Sequence, residues 1–142
     1  MTVNQLSIFL ENRSGTLTKV LDIMKRTGIR IIASTIADTA QYGLFRVICS
    51  NPRQAYLELV NEGFAVAMSD VFAIEMENRP GQTADTVKCF SEAGISIIYM
   101  YSFLKDGKGI LLFRTDDMET AREVIHRAGF KCVSEKDLAD WK

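Results

Sequence analysis

ENRSGTL, residues 11–17, closes a run in which Leu6, Ile8 and Leu10 alternate with Ser7 and Phe9, and opens a run in which Leu17, Val20, Leu21 and Met24 recur at helical spacing. The period changes from two to about 3.6 across this one glycine-bearing phrase, so the chain leaves a strand, turns at Gly15 and enters a helix. ENRPGQT, residues 77–83, repeats the phrase 66 residues later.

The same offset holds to the end of the chain. It brings Gly28, Ile29, Ile31 and Ile32 onto Gly94, Ile95, Ile97 and Ile98, and Gly43 onto Gly109. It also brings Ala55 onto Ala121, and Gly63-Phe64 onto Gly129-Phe130, without an insertion. Glycines recurring at four separate places mean recurring turns and helix ends, because glycine accepts positive φ and close backbone approach. The chain is one unit written twice, residues 1–69 and 70–142.

Within the first unit, Ile29 to Ala37 and Leu44 to Cys49 are rich in strand formers and flank the turn-like DTAQYG, a predicted hairpin. Asn51-Pro52 starts a second helix through Ala55, Tyr56, Leu59 and Val60, and Gly63 ends it before a short strand at Phe64 to Met68. The second unit is predicted as strand Val71 to Met76, helix Gly81 to Ala93, strands Ile95 to Phe103 and Gly109 to Thr115, helix Asp117 to Ala128 and strand Lys131 to Val133. Its KDGKG segment holds the Asp-Gly pair typical of hairpins, and the tail after Ser134 forms a last helical turn or two that tucks in Trp141. The fold class is therefore α+β: two tandem ferredoxin-like βαββαβ units, each an antiparallel sheet with helices on one face. Ile29 to Ala37 and Ile95 to Phe103 are apolar at nearly every position, which predicts strands covered on both sides and a homodimer as the simplest source of cover.

With 142 residues, 47% apolar and 25% charged, the chain has an ordinary globular composition. Its 17 Lys and Arg against 18 Asp and Glu leave no basic footprint for nucleic acid. No run reaches membrane-spanning length and the start lacks the pattern of a signal peptide, so a cytoplasmic protein is expected. Cys49, Cys89 and Cys132 are odd in number and widely spaced, which predicts buried thiols rather than disulfides or zinc ligands. No metal or cofactor site is expected.

At each copy of the phrase a helix opens with unpaired backbone N–H groups and the positive end of its dipole, an arrangement suited to a carboxylate or phosphate. Asn12 and Asn78 add a short side chain with both donor and acceptor, which suits a free amino acid. Glycine and asparagine at a strand-to-helix turn are also ordinary turn chemistry.

The βαββαβ order, the ENRPG turn and the strand starts TGIRII and AGISII resemble the ACT family of small regulatory domains, over nearly the whole chain as two tandem copies. ENRPG is similar to the family's phrase in serine-regulated phosphoglycerate dehydrogenases. The resemblance implies an allosteric sensor without catalysis that binds an amino acid between paired domains, through the turn after the first strand and the start of the second. Carried onto this chain, the implied contacts are Asn12, Ser14, Gly15, Thr16 and Leu17 with Arg30 and Ile31, and Asn78, Pro80, Gly81, Gln82 and Thr83 with Ser96 and Ile97. Thr83 departs from the apolar residue that Leu17 supplies. Arg30 and Ser96 replace the strand asparagine of the serine-binding relatives, and Leu10 and Met76 replace their histidine. Arg30 is either a cation for a ligand carboxylate or a side chain lying along a strand edge.

Other functions find less support. His126, the single histidine, falls off the apolar stripe of its helix, and no nucleophile with a base can be assembled. The loop phrase of acylphosphatases is absent despite Asn12 and Arg13, and RNA binding on the open sheet face lacks basic surroundings for Phe9 and Phe45. A ligand-free interaction module, such as the regulatory subunit of a separate metabolic enzyme, remains the alternative.

Overall fold

The computed structural model describes residues 1–11, 14–38 and 42–140. The elements run β1 (Val3–Glu11), α1 (Thr16–Arg26), β2 (Ile31–Asp38), β3 (Tyr42–Cys49), α2 (Pro52–Asn61), β4 (Ala65–Glu77), α3 (Gln82–Glu92), β5 (Ile97–Lys105), β6 (Lys108–Thr115), α4 (Met118–Ala128) and α5 (Glu135–Ala139). The chain divides into two compact units, Asn4–Ser69 with Glu135–Lys142, and Asp70–Ser134 with Met1–Val3. These are called the first and second unit below.

In the first unit the strand order is β2-β3-β1-β4, with β1 and β2 each antiparallel to β3. Leu6, Ile8 and Leu10 point to one face of β1, where they meet Val20, Ile23 and Met24 of α1 and Ala55 and Leu59 of α2. The second unit builds the same layer: β4 and β5 flank β6, and Phe72, Ile74 and Met76 pack with Phe90, Ala121 and Ile125. Alternation along the strands and helical spacing along α1 and α3 thus bring together residues that share one buried face.

The glycines at the helix ends behave alike. After α1, Gly28 takes φ of 73° and the Ile29 N–H reaches back to the Met24 carbonyl at 2.9 Å. Gly63, Gly94 and Gly129 repeat this, with Phe64, Ile95 and Phe130 bonding back to Leu59, Phe90 and Ile125. These are left-handed caps in which the next apolar residue folds onto the helix end. The predicted Asp-Gly hairpin is present too, with Asp106 at φ 50° and Gly107 at φ 78° between paired Lys105 and Lys108.

Two expectations need correction, and a third concerns the cover of two strands. The strands predicted at Phe64 to Met68 and Val71 to Met76 are one continuous strand, β4, because Ser69 and Asp70 stay extended although their polarity suggests a break. The strand predicted at Lys131 to Val133 shrinks to a single bridge between Cys132 and Ile74. Within one chain β2 and β5 are edge strands with one open face, where Ile36 is 52% exposed, Ile98 59% and Leu104 64%, so the cover predicted for that face does not come from the strands' own units. Their apolar residues continue onto the outer face, so the run of hydrophobics gave no marker of position in the sheet. The predicted DTAQYG turn includes residues 39–41, and Trp141 lies in the tail, all outside the described residues.

Candidate ligand-binding site at the strand-to-helix turns

Gly15 and Gly81 sit at the N-caps of α1 and α3 with φ of 90° and 85°, a conformation that costs an L side chain roughly 1–2 kcal/mol. Their carbonyls accept the first intrahelical bonds, from the Lys19 N–H at 3.0 Å and the Asp85 N–H at 2.9 Å. Neither cap supplies a side-chain acceptor. The other two long helices do the opposite. Asn51 Oδ1 accepts from the Gln54 N–H at 3.3 Å, and Asp117 Oδ1 accepts from the Thr120 N–H at 3.0 Å. In each repeat one helix caps itself with a side chain, and the helix behind the ENRxG turn does not.

The two turns differ in what surrounds them. At the second, Arg79 is 3.3 Å from Glu77 Oε2 and 3.4 Å from Asp85 Oδ2, so an acidic residue already occupies the first turn of α3. The first turn of α1 has no acidic residue. It borders two clefts of about 490 and 320 Å³. The larger lies among the end of β1, Thr16 and Lys19 of α1, Tyr42, and the connection from α2 to β4. The smaller lies between Thr16 and Leu17 on one side and Ile36, Ala37 and Asp38 at the end of β2 on the other.

The sequence-derived candidates are therefore placed as follows. Ser14 and Gly15 are exposed at the first turn, Thr16 and Leu17 are half-buried, and Leu17 also packs on the first core. Asn12 lies outside the described residues. Asn78, Pro80, Gly81 and Thr83 are exposed at the second turn, while the Gln82 amide donates to Thr86 Oγ1 at 3.4 Å. Arg30 and Ile31 stand at the opposite end of β2 from the part that shares a cleft with the turn, roughly 23 Å along a strand of this length. The backbone of Arg30 pairs with Ser50 at 2.9 Å in both directions, and its guanidinium donates to the carbonyl of Ala139 at the end of α5. Neither reading of Arg30 from sequence included this contact. Ser96 repeats the backbone arrangement, donating to Asp116 Oδ1 at 2.9 Å and accepting from the Asp116 N–H at 3.1 Å. Ile97 packs on the second core. Phe9, Lys19, Tyr42 and Ala65 line the larger cleft; the sequence reading named Phe9 only as an aromatic of the open sheet face and did not single out the other three. The available signal was their failure to match across the repeat.

Among the described residues no group of three or more His, Cys, Asp and Glu could hold a metal, and no helix is long and apolar enough to cross a membrane. His126 is exposed, as its position off the apolar stripe predicts.

Residues 1–141 match the family described as ACT domain pair. The chain belongs to the ACT domain family. This ACT pair is similar to the solved protein BT0572 from Bacteroides thetaiotaomicron, with 36% identity over 99% of this chain and 98% of that one, and a TM-score of 0.94. It shares its fold with the ligand-free regulatory subunit of aspartate kinase from Thermus thermophilus, at 14% identity over 88% and 91% of the two chains and a TM-score of 0.63. The regulatory subunit of aspartate kinase from Thermus flavus is alike at 14% identity, with the same coverage and a TM-score of 0.60. No curated protein matches the chain significantly. The two βαββαβ repeats and the family together assign a ligand-binding regulatory role to the ACT pair.

Proposed function

We propose that this ACT pair, as two domains spanning residues 1–69 and 70–142, binds an amino acid at a strand-to-helix turn and modulates a separate metabolic enzyme. The observation that carries the reading is the contrast in helix caps. α2 and α4 satisfy an end amide with the side chains of Asn51 and Asp117, whereas α1 and α3 start at left-handed glycines without a side-chain cap, although the first amide of α3, on Gln82, donates to the Arg79 carbonyl at 3.3 Å. An amide row with a positive dipole end favours a carboxylate by about 0.3–1 kcal/mol, and a polar side chain adds direction. Asn12 and Asn78 are assigned that part, with Ser14, Thr16, Pro80, Gln82 and Thr83 shaping the turn. Arg30, Ile31, Ser96 and Ile97 would complete the contact from a second copy of the chain, in a homodimer in the cytoplasm. No catalytic step and no cofactor enter this proposal. The regulatory subunits with the same fold support a protein that reports to an enzyme.

A thermal-shift screen against the twenty amino acids tests it. A ligand at about one hundred times its Kd stabilises by about 2.7 kcal/mol, roughly 5 to 10 °C for a chain of this size. At least one of Asn12→Ala and Asn78→Ala should weaken the response without lowering the ligand-free midpoint. A cooperative transition that no amino acid moves would refute the sensor and favour an interaction module.

A further inference from the structure

Deepening that reading and resting on it, we infer that the two repeats are unequal, and that the first alone takes an amino acid, one with an apolar side chain, in the cleft beside Phe9, Lys19, Tyr42 and Ala65. The argument comes from laying the walls of this cleft on the second repeat. Phe9 and Tyr42 form an edge-to-face pair with ring centroids 5.9 Å apart, both partly open to solvent. Their counterparts at the 66-residue offset are Glu75 and Lys108, joined by an ion pair of 2.7 Å. Ala65, a small wall residue, becomes Lys131, which binds the other oxygen of Glu75 at 3.3 Å. The aromatic surface of the first repeat is thus replaced in the second by three charges that satisfy one another.

The cation changes sign as well. Lys19 lines the first cleft, and its counterpart is Asp85, held by Arg79 at 3.4 Å. A carboxylate approaching the second turn meets an aspartate already paired with the nearest arginine, whereas at the first turn it meets a lysine. Glu11 and Glu62 lie on the same cleft, with Glu62 also 3.3 Å from Arg26. Carboxylate oxygens accept several hydrogen bonds, so they can receive an ammonium group in the cleft that Lys19 also lines. A cation, an acidic edge and an apolar wall are the three recognitions that an apolar α-amino acid requires. The cleft's volume of about 490 Å³ falls within the range of small-molecule pockets.

The test is calorimetric titration of the full chain with L-phenylalanine, L-leucine, L-valine, L-aspartate and L-lysine, in wild type and in variants that exchange residues between repeats. One apolar amino acid should bind at one molecule per chain. Lys19→Asp and Ala65→Lys should each weaken it by about tenfold or more, the scale of one charge-assisted contact. Asp85→Lys and Lys131→Ala should leave the affinity within about twofold on that same scale. Phe9→Ala, at a partly exposed position, gives a second loss that requires no new charge, and an unchanged thermal midpoint in each variant shows that the fold is kept. Two molecules per chain, a preference for aspartate or lysine, or losses confined to the Asp85 and Lys131 variants would overturn the inference while leaving an amino-acid sensor standing. Absence of response to all twenty amino acids in the thermal-shift screen would remove both.

Discussion

Replacing Leu138 by alanine should release the C-terminal helix and, with it, the candidate ligand residue Arg30. α5 spans only Glu135–Ala139, far too short to persist by its own hydrogen bonds. Its hold on the first unit comes from Leu138, which is 1% exposed, from the Asn4 N–H donated to Glu135 Oε1 at 2.8 Å, and from Arg30 bonded to Ala139. A buried Leu→Ala change costs about 2–5 kcal/mol, and the low end applies because a terminal segment can detach instead of enclosing a cavity. A loss of about 2.8 kcal/mol multiplies the undocked population roughly a hundredfold. Cys49 is a built-in reporter. It is buried, burial pushes its thiol up to about 11, and Glu135 adds to that shift through its negative charge. At pH 8 such a thiol is about one part in a thousand thiolate, the reactive form. Undocking removes Glu135 and admits water, so labelling of Cys49 by an aromatic disulfide reagent should accelerate by one to two orders of magnitude. Cys89 and Cys132 belong to the second unit and serve as internal standards, each site being followed by peptide mass spectrometry. An unchanged Cys49 rate would show that the tail does not protect it. Equal acceleration at all three thiols would show global loosening, and either result refutes the docking argument.

Two further outcomes follow from the turns and charges. Glu75 is held below the usual carboxylate range, first by its hydrogen bond to Lys108 and then by Lys131. Its pair therefore contributes stability above the unfolded carboxylate value that is lost as pH falls through the lowered folded value. The midpoint difference between wild type and Glu75→Gln should be present at neutral pH and vanish in acid, and a difference independent of pH would reject the pairing. Gly15→Ala should lower stability by about 1–2 kcal/mol in urea unfolding, since φ is 90° although nothing lies within 4 Å of the new Cβ. Gly43→Ala is the control, because its Cβ would sit 3.8 Å from the Ala37 oxygen in ordinary contact and its φ lies outside the positive region; equal costs at both would mean that φ does not decide.

Much of this fold was legible because the repeat reports positions twice. The glycine-apolar pairs at residues 28, 63, 94 and 129 marked the ends of the four long helices, and each forms the same cap. The fused strand was not legible, because the polar Ser69 and Asp70 stand between the two apolar runs and yet stay extended within β4. Edge placement of β2 and β5 was hidden for a different reason: composition reports affinity for a sheet, not which neighbours are present. At the candidate site, matched residues drew the eye to the turns. The cleft walls Lys19, Tyr42 and Ala65 escaped notice, and Phe9 was named only as an open-face aromatic, because these are the residues that the second repeat does not keep.

That division between kept and changed residues follows the packing. Buried positions pair across the repeat as Ile8 with Ile74, Ile29 with Ile95, Ala55 with Ala121 and Leu59 with Ile125. Where size changes, it changes in compensating sets. Leu6, Met24 and Val47 become Phe72, Phe90 and Phe113, while Phe45 shrinks to Leu111, Ile23 to Cys89 and Val20 to Thr86. The three phenylalanines form an edge-to-face and tilted cluster with centroids 5.1 and 5.5 Å apart. A core at close packing admits such exchanges only if total volume is roughly held, so its apolar character persists through duplication. No such limit acts on solvent-facing positions. Phe9, Tyr42 and Ala65 give way to a mutually paired Glu75, Lys108 and Lys131, in which both lysines stand exposed and Glu75 is half-buried. The proposal that the first repeat alone binds a ligand predicts such a difference, because only one set of walls is then held by binding.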